Sequence, residues 1–319
     1  MLNLLILLII GLVLVLTGAD ALVDGASALA RKWGISEFVI GLTIVALGTS
    51  APEMVVSFIS AFQGNSDIAV GNIIGSNIFN TALILGITAV IMPISITSNN
   101  LRLDIPINIA VTTLLILLGM KNTLFGVGTD GISRIWGIVF LILFVWYMSV
   151  SFKNGAADGG NDSERTSSTV KAIIFIAGGL AALVFGGRMF VNSAESIAKA
   201  LGLSDKFIAV TILAAGTSLP ELATSIVAAV KGKGQLALGN IIGSNTSNIL
   251  LILGGTALIN PLDMSGISLT DYAALFLCAL SLLICAFTGN KKKLDRIEGA
   301  VLVLIEALYM GYLIHTIHA

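Results

Sequence analysis

TIVALGTSAPE at Thr43–Glu53 and GNIIGSNIFN at Gly71–Asn80 are the two ends of one stretch that the chain contains twice. The second copy begins TILAAGTSLPE at Thr211 and ends GNIIGSNTSN at Asn248. A single offset of 168 residues aligns the copies without a gap, and about half of the aligned positions are identical. Each copy places a carboxylate, hydroxyls, an asparagine and a proline in a segment otherwise apolar enough for lipid. The repeated polar groups are therefore the functional signal.

The composition is that of a membrane protein. Of the 319 residues 56% are hydrophobic and 11% are charged, with a mean hydropathy of +1.00, whereas soluble domains carry roughly a quarter charged residues. The net charge of −1 gives no indication of a nucleic-acid partner, which a strongly basic chain would favour. The two cysteines, Cys278 and Cys285, lack a metal-ligand spacing and are interpreted as packing residues. No cofactor is expected.

Apolar segments long enough to cross a bilayer, about 20 residues each, recur along the whole chain. They predict an all-α integral membrane protein with ten transmembrane helices. The predicted spans are 2–28, 36–62, 68–92, 103–120, 131–151, 171–198, 204–230, 237–259, 269–288 and 297–315.

The repeat divides these spans into two sets of five. The domains predicted are 1–151 for the first repeat, 152–170 for a polar linker on the inner side, and 171–319 for the second repeat. A repeat with an odd number of spans must enter the membrane upside down the second time, so the two halves are predicted to be inverted.

Basic residues predict the orientation. With the N-terminus outside, the inner loops hold Arg31, Lys32, Arg102, Lys153, Arg165, Lys171, Lys231, Lys233, Lys291, Lys292, Lys293 and Arg296. The outer loops and helix ends then hold only Lys121, Arg134, Lys199 and Lys206. The positive-inside rule therefore predicts a multi-pass protein of the cell membrane with both termini outside.

Pro52 is expected to break the second predicted helix. Proline has no N–H, so the carbonyl of Gly48 loses its intrahelical partner, and the proline ring crowds that turn. We expect a break near 49–51 that leaves carbonyls around Ala46–Gly48 free at mid-membrane depth. Such backbone is tolerated only where it is buried in protein or lines a hydrated cavity. The second copy repeats the arrangement at Pro220 in the seventh helix, and paired broken helices indicate a transport site.

Polar side chains line up around each break. Ser50 and Thr49 precede Glu53 by three and four residues, which puts hydroxyls and carboxylate on one helical face. The third helix adds polar residues at i, i+4 and i+8, and the second copy repeats both sets. The residues are Thr49, Ser50, Glu53, Asn72, Ser76, Asn80, Thr217, Ser218, Glu221, Asn240, Ser244 and Asn248. Because all of them offer oxygen, the set favours the hard cations Ca²⁺ and Na⁺ over soft transition metals.

Structural roles compete with ligand roles at several of these positions. A charged side chain at the bilayer centre costs at least ~2.5–3.5 kcal/mol on insertion scales, so a purely structural role for both glutamates is disfavoured. Packing remains the alternative for Ser76 and Ser244. Four asparagines are interpreted as helix–helix hydrogen-bonders rather than ligands: Asn72, Asn77, Asn240 and Asn245.

Two further interpretations concern contacts between helices. Gly71 and Gly75 are expected to let two backbones approach closely. Asp20 and Arg188 correspond under the same offset, so we expect them to pair between the first and sixth helices. The alternative is that Arg188 reaches towards the membrane surface by itself.

The paired motifs GTSAPE with GNIIGSNIFN, and GTSLPE with GNIIGSNTSN, closely resemble those of the cation/calcium antiporter superfamily, and within it the prokaryotic sodium/calcium exchangers. The resemblance implies a central cluster of cation sites and alternating access by sliding of the first and sixth helices. The side-chain ligands that it implies are Thr49, Ser50, Glu53, Ser76, Asn80, Thr217, Ser218, Glu221, Ser244 and Asn248. It adds the backbone carbonyls of Ala46 and Ala214.

Asn248 departs from relatives that carry aspartate at this position. Two carboxylates neutralise one Ca²⁺, whereas three Na⁺ leave one positive charge. If the family's exchange of three Na⁺ for one Ca²⁺ applies, transport is electrogenic. Moving one net charge across a potential of 100 mV changes the free energy by about 2.3 kcal/mol. The missing acid argues against potassium co-transport and leaves the stoichiometry open.

The function predicted is secondary active exchange of Ca²⁺ for Na⁺, with the two ions and the lipid bilayer as partners and no oligomer required. The alternative is Ca²⁺/H⁺ antiport, since clustered membrane carboxylates also carry protons. Proton-coupled relatives resemble one another in a glutamate after the GN dipeptide, whereas here it follows the TSxP segment. A channel is a third class, which the inverted repeat disfavours. An enzyme is not expected, because the acids are not accompanied by a histidine-based site, a cysteine nucleophile or a phosphate-binding loop.

Overall fold

The chain folds into a bundle of long apolar helices. The computed structural model describes residues 2–126, 128–158, 168–201, 214–288 and 292–318. The helices in this part of the chain are α1 Leu2–Trp33, α2 Glu37–Thr49, α3 Ala51–Phe62, α4 Ser66–Ile91, α5 Asn100–Gly119, α6 Lys121–Phe125, α7 Arg134–Asp158, α8 Thr169–Ala200, α9 Ala214–Thr217, α10 Leu219–Val230, α11 Gly234–Ile259, α12 Leu269–Cys285 and α13 Arg296–His318. The strands are β1 Ile94–Ser95, β2 Gly131–Ile132, β3 Leu262–Asp263 and β4 Lys293–Leu294.

Length and hydropathy make this a polytopic membrane protein. Among the described residues seven helices are long and apolar enough to span a bilayer, or eight if the bent pair α2–α3 is one span. The shorter apolar helices α10 and α12 occupy the positions of the predicted seventh and ninth spans. The predicted start of the seventh span, 204–213, lies outside the described residues. Of the predicted linker 152–170, the residues up to Asp158 belong to α7 and those from Thr169 belong to α8, whereas 159–167 lie outside the described residues.

The break in the second predicted helix is observed at Ser50. The axes of α2 and α3 differ by 48°, and Ser50 between them has φ −78° and ψ 8°. Pro52 lies at the start of α3, where a proline has no intrahelical bond to lose. Ser218 repeats this conformation between α9 and α10, with φ −87° and ψ 9°.

α4 and α11 form the centre of the bundle. Each helix has a most apolar stretch of 18 residues, and the buried share of that stretch is 72% in α4 and 94% in α11. Both helices contain a π-helical turn, Asn80–Leu85 in α4 and Asn248–Leu253 in α11. These turns begin at the last asparagine of each sequence motif, and π-turns are frequent at functional sites.

Two short antiparallel sheets mark opposite ends of the bundle. At one end, β1 pairs with β4, Gln235 donates to the carbonyl of Ser95, and Lys233 forms an ion pair with Glu37 at 2.6 Å. We call it the Lys233 end. At the other end, β2 pairs with β3 and Asp271 accepts a hydrogen bond of 2.7 Å from the hydroxyl of Tyr309. We call it the Asp271 end.

α1 and α8 pack together through glycines along most of their length. A Cβ on Gly18 would lie 2.8 Å from the carbonyl oxygen of Gly179, and one on Gly11 would lie 2.9 Å from that of Gly186. The partner numbers fall as the α1 numbers rise, so the helices run antiparallel. Because their backbones touch, the two helices form one closely packed pair.

The predicted pairing of Asp20 with Arg188 is wrong. Asp20 instead forms an ion pair of 2.7 Å with Lys231, which also contacts Asp24 at 2.7 Å. Lys231 directly follows α10, and α10 packs against α1. Arg188 lines a cavity that opens at the Asp271 end.

Candidate cation site

Glu53 and Glu221 are both fully buried. Each lies in the first turn of the helix that follows a break, Glu53 in α3 and Glu221 in α10. The amino-terminal end of a helix carries partial positive charge, which stabilises a carboxylate placed there. The proline that interrupts each helix therefore creates a local environment for the acid that follows it.

The serine hydroxyl of each copy donates a hydrogen bond to the glutamate of the other copy, an arrangement that we call crossed. Ser50, in the first copy, donates a hydrogen bond of 2.8 Å to Glu221 Oε1 in the second. Ser218, in the second copy, donates one of 2.9 Å to Glu53 Oε1 in the first. Ser76 of α4 also lies within hydrogen-bonding distance of both partners, 3.4 Å from Glu53 and 3.2 Å from Ser218. The structure thus brings residues 168 positions apart in sequence into one buried site.

Several buried oxygen atoms around this site have no hydrogen-bond partner. Within the described residues these atoms are Glu53 Oε2, Glu221 Oε2, Asn80 Oδ1, Asn248 Oδ1, Thr217 Oγ1 and Ser244 Oγ. At longer range Thr217 interacts with Glu53, and Thr49 and Ser244 interact with Glu221. Buried polar atoms are normally paired, so a group of unpaired oxygens that includes two carboxylates is suited to bind a cation.

An asparagine frame joins α4 to α11 beside the acids. Asn80 donates to Asn245 Oδ1 at 3.2 Å, and Asn248 donates to Asn77 Oδ1 at 2.9 Å. The side-chain amide of Asn77 donates to the backbone carbonyl of Asn245, and that of Asn245 donates to the hydroxyl of Thr81. These bonds confirm Asn77 and Asn245 as helix–helix hydrogen-bonders. Because Asn80 and Asn248 hold this frame through nitrogen, their side-chain oxygens remain without a hydrogen-bond partner among the described residues.

Asn72 and Asn240 are also confirmed as hydrogen-bonders between helices. Asn72 donates to Ser57 at 3.2 Å, and Asn240 donates to Ser225 at 3.1 Å. Asn240 also accepts a hydrogen bond of 3.2 Å from Thr49. The serine partners were missed by the sequence analysis, although Ser57 and Ser225 correspond under the offset of 168.

The prediction of free carbonyls is wrong for Ala46. Its carbonyl accepts hydrogen bonds of 3.0 Å from the N–H of Ser50 and 3.3 Å from the hydroxyl of Thr49. Pro52 removes the donor that would have reached Gly48, whereas Ser50 keeps its N–H and still reaches Ala46. Ala214 is the first residue of α9.

A cavity of about 850 Å³ leads from the Asp271 end to this site. Its walls include Ser76 and Thr217, together with the helix-breaking Pro52 and Pro220. A second cavity, of about 720 Å³, opens at the Lys233 end, and its lining includes none of the twelve predicted ligand residues. In the described part of the chain, a cavity thus reaches the site from the Asp271 end.

Gly71 and Gly75 do not have the predicted packing role among the described residues. Both line the larger cavity, and an added Cβ at either would meet no described atom within 4 Å. Their counterparts in the second copy do allow close approach. A Cβ on Gly239 or Gly243 would clash with the backbone of α2, at Phe38 and Leu42 respectively.

The chain matches the family described as Sodium/calcium exchanger protein over residues 3–153 and 171–316. Sodium/calcium exchanger MaX1 of Methanosarcina acetivorans is 35% identical over 97% of this chain and 97% of its own length. Inner membrane protein YrbG of Escherichia coli is 36% identical over 86% of each. A solved structure of the sodium-calcium exchanger NCX_Mj, soaked with 10 mM Na⁺ and no Ca²⁺, superposes with a TM-score of 0.85 at 34% identity, covering 98% of this chain and 99% of that one. This protein belongs to the sodium/calcium exchanger family.

Proposed function

We propose that this protein exchanges Ca²⁺ for Na⁺ across the cell membrane by alternating access. The observation that carries the proposal is the crossed pair Ser50–Glu221 and Ser218–Glu53, with the second oxygen of each buried acid unpaired. Two carboxylates among neutral oxygens can bind a divalent or several monovalent hard cations by turns. The family and the exchangers similar to this chain support the same function, a transporter rather than an enzyme.

The proposed ligand set follows from the geometry and the resemblance together. Glu53 and Glu221 supply charge, and the surrounding hydroxyl, amide and carbonyl oxygens complete the coordination. The proposed ligands are Glu53, Glu221, Thr49, Ser50, Ser76, Asn80, Thr217, Ser218, Ser244, Asn248 and the carbonyls of Ala46 and Ala214. For Ala46 the ion would share a carbonyl that also accepts hydrogen bonds.

We also propose ten spans in two inverted units, 1–151 and 171–319, joined by a linker within 152–170. Equivalent loops at opposite ends of the bundle support the inversion. The loop after α3, 63–65, lies at the Asp271 end, since the adjoining Asp67 contacts Gly266. Its equivalent, 231–233, lies at the Lys233 end.

The proposed orientation places the Lys233 end inside the cell and both termini outside. Under the proposed ten-span arrangement, the loops at the Lys233 end hold most of the lysines and arginines, which is the side expected under the positive-inside rule. The larger cavity then opens to the outside. Closing it while opening a path at the Lys233 end would complete alternating access, with α1 and α8 moving as one unit.

Exchange of Ca²⁺ for protons is not favoured. MaX1 and NCX_Mj are named as exchangers of sodium and calcium, and the glutamates follow the TSxP segment rather than the GN dipeptide. A channel is disfavoured because the cavity that reaches the site from the Asp271 end does not continue to the Lys233 end among the described residues.

Uptake of ⁴⁵Ca²⁺ into proteoliposomes tests the proposal. Vesicles are loaded with Na⁺, K⁺ or choline and diluted into choline medium, and a pH gradient of either sign is imposed in parallel. We expect Ca²⁺ uptake from the Na⁺-loaded vesicles alone. Uptake that follows the pH gradient and ignores Na⁺ would establish proton exchange instead, and uptake that needs no counter-ion would establish a channel.

A further inference from the structure

Glu306 is a third buried acid that the proposed exchange site does not use. It lies near the middle of α13, the last helix, and is 4% exposed. Its Oε2 atom has no hydrogen-bond partner among the described residues. The side chain lines the cavity that leads from the Asp271 end to the exchange site. A carboxylate buried near the middle of a spanning helix is costly, so such a residue indicates function unless a partner explains it.

Glu306 has a hydroxyl and a thiol near it, but no described basic residue forms an ion pair with it. Tyr309, one turn further along α13, lines the same cavity and donates to Asp271 at 2.7 Å. Cys278 of α12 lies within electrostatic range of Glu306. Arg188 also lines the cavity, but no ion pair joins it to Glu306 in the described part of the chain. Among the described residues, no basic side chain therefore forms an ion pair with Glu306.

α13 brings Glu306 close to the helix that carries the exchange site. Gly299 of α13 contacts Gly86 of α4, since a Cβ on Gly299 would lie 2.7 Å from the Gly86 carbonyl oxygen. α13 also packs against the π-turn that begins at Asn80. Asp271, Glu306 and Ser76 all line this cavity. The cavity that reaches the exchange site at Ser76 thus carries three acids of its own, Asp67, Asp271 and Glu306.

We propose that Glu306 is the centre of an accessory site for one monovalent cation of the Na⁺ class, distinct from the exchange site. One carboxylate neutralises one such ion, whereas a divalent ion would keep a net positive charge among mostly apolar walls. The site lies on the way to the exchange site and would hold the ion during entry. It does not depend on which ions are exchanged.

Anomalous scattering from thallium(I), a heavy monovalent ion, tests the site directly. Crystals of the full chain are soaked in thallium nitrate, with Glu306→Gln and Glu195→Gln compared with the unaltered protein. Glu195 is a matched control because it is an acid in a surface ion pair with Lys199, and it is not among the residues lining the cavity. We expect a peak in contact with the Glu306 carboxylate in the unaltered and Glu195→Gln proteins, which Glu306→Gln lacks.

The peak at the exchange site serves as the internal reference. If ions occupy the exchange site while the Glu306 position stays empty in the unaltered protein, the accessory site is overturned and the exchange site stands. That result would also follow if Glu306 held a proton instead of a metal cation. If the exchange site is empty and the Glu306 position is filled, the accessory site is supported and the proposed exchange site is contradicted.

A kinetic measurement covers the case in which crystals of a variant are not obtained. Na⁺ is supplied to one side of the membrane at a time, with inside-out and right-side-out vesicles. We expect Glu306→Gln to raise severalfold the Na⁺ concentration for half-maximal exchange at the Asp271 end, with no change at the Lys233 end. An equal change at both ends, or at neither, would refute a site in this cavity.

Discussion

The hydroxyl of Ser50 donates a hydrogen bond of 2.8 Å to the carboxylate of Glu221, a residue 171 positions away in the chain. The equivalent bond, from Ser218 to Glu53, is 2.9 Å long. Each repeat therefore positions the acid of the other repeat. Neither half can form these hydrogen bonds alone, so both must fold and dock before the proposed site exists.

Glu53→Gln and Glu221→Gln should each abolish Na⁺-driven Ca²⁺ flux. Glutamine keeps the size and the hydrogen-bonding oxygen but removes half of the negative charge that balances the cation. Flux is measured in proteoliposomes with each variant and with Glu195→Gln as the control for loss of a surface acid. Undiminished flux in both site variants would remove the proposed site, because no other acid pair in the described chain is placed to replace it.

Ser50→Ala and Ser218→Ala should weaken Ca²⁺ binding to a similar extent. Each removes a hydrogen bond to a charged group, worth ~1.5–3 kcal/mol, which corresponds to a roughly ten- to hundredfold change in affinity. The half-maximal Ca²⁺ concentration for exchange is the measurement. Ser149→Ala is a suitable control, since Ser149 is exposed and its hydroxyl donates to the carbonyl of Val145 in its own helix. A large effect from one serine and none from the other would contradict the crossed arrangement.

Gly179→Ala should destabilise the protein, whereas Gly178→Ala should not. A Cβ on Gly179 would lie 2.7 Å from the carbonyl oxygen of Gly18 and from the N–H nitrogen of Leu22, and overpacking of this kind costs typically ~1–3 kcal/mol. A Cβ on Gly178 meets no described atom within 4 Å. The midpoint of thermal unfolding in detergent, followed by size-exclusion chromatography, separates the two variants. Equal midpoints would show that α1 and α8 are not held by this contact.

Transport should respond to membrane potential if three Na⁺ exchange for one Ca²⁺. Ca²⁺ uptake then moves one net positive charge out of the vesicle, so an inside-positive potential favours it, by about 2.3 kcal/mol per 100 mV. The potential is set with valinomycin and K⁺ gradients, and vesicles containing Glu221→Gln give the background. Uptake that is the same at all potentials would indicate exchange of two Na⁺ for one Ca²⁺. A site with two carboxylates and a neutral Asn248 would neutralise the charge of either load.

Glu306 was absent from the sequence analysis, although a signal for it was available. It is an acid in the middle of the last predicted span, 297–315, where a charged residue is unfavourable. The repeat gives no second indication of it, because the clear sequence similarity between the halves is confined to the first three helices of each. Burial, the missing partner and the position in the cavity come only from the packing of α13 against its neighbours.

The sequence by itself determined the membrane class, the helix breaks just before the two prolines and the acids around which the proposed site is built. These follow from local chemistry, because a proline lacks its N–H wherever the helix lies and an acid in an apolar segment needs a partner. The tertiary structure decided which groups face each other. It crossed the serines and glutamates, paired Asp20 with Lys231 instead of Arg188, kept Ala46 hydrogen-bonded and gave the same GNIIGSN glycines different surroundings. Identical motifs can differ in this way because surroundings depend on neighbours brought together by packing, which distance along the chain does not encode.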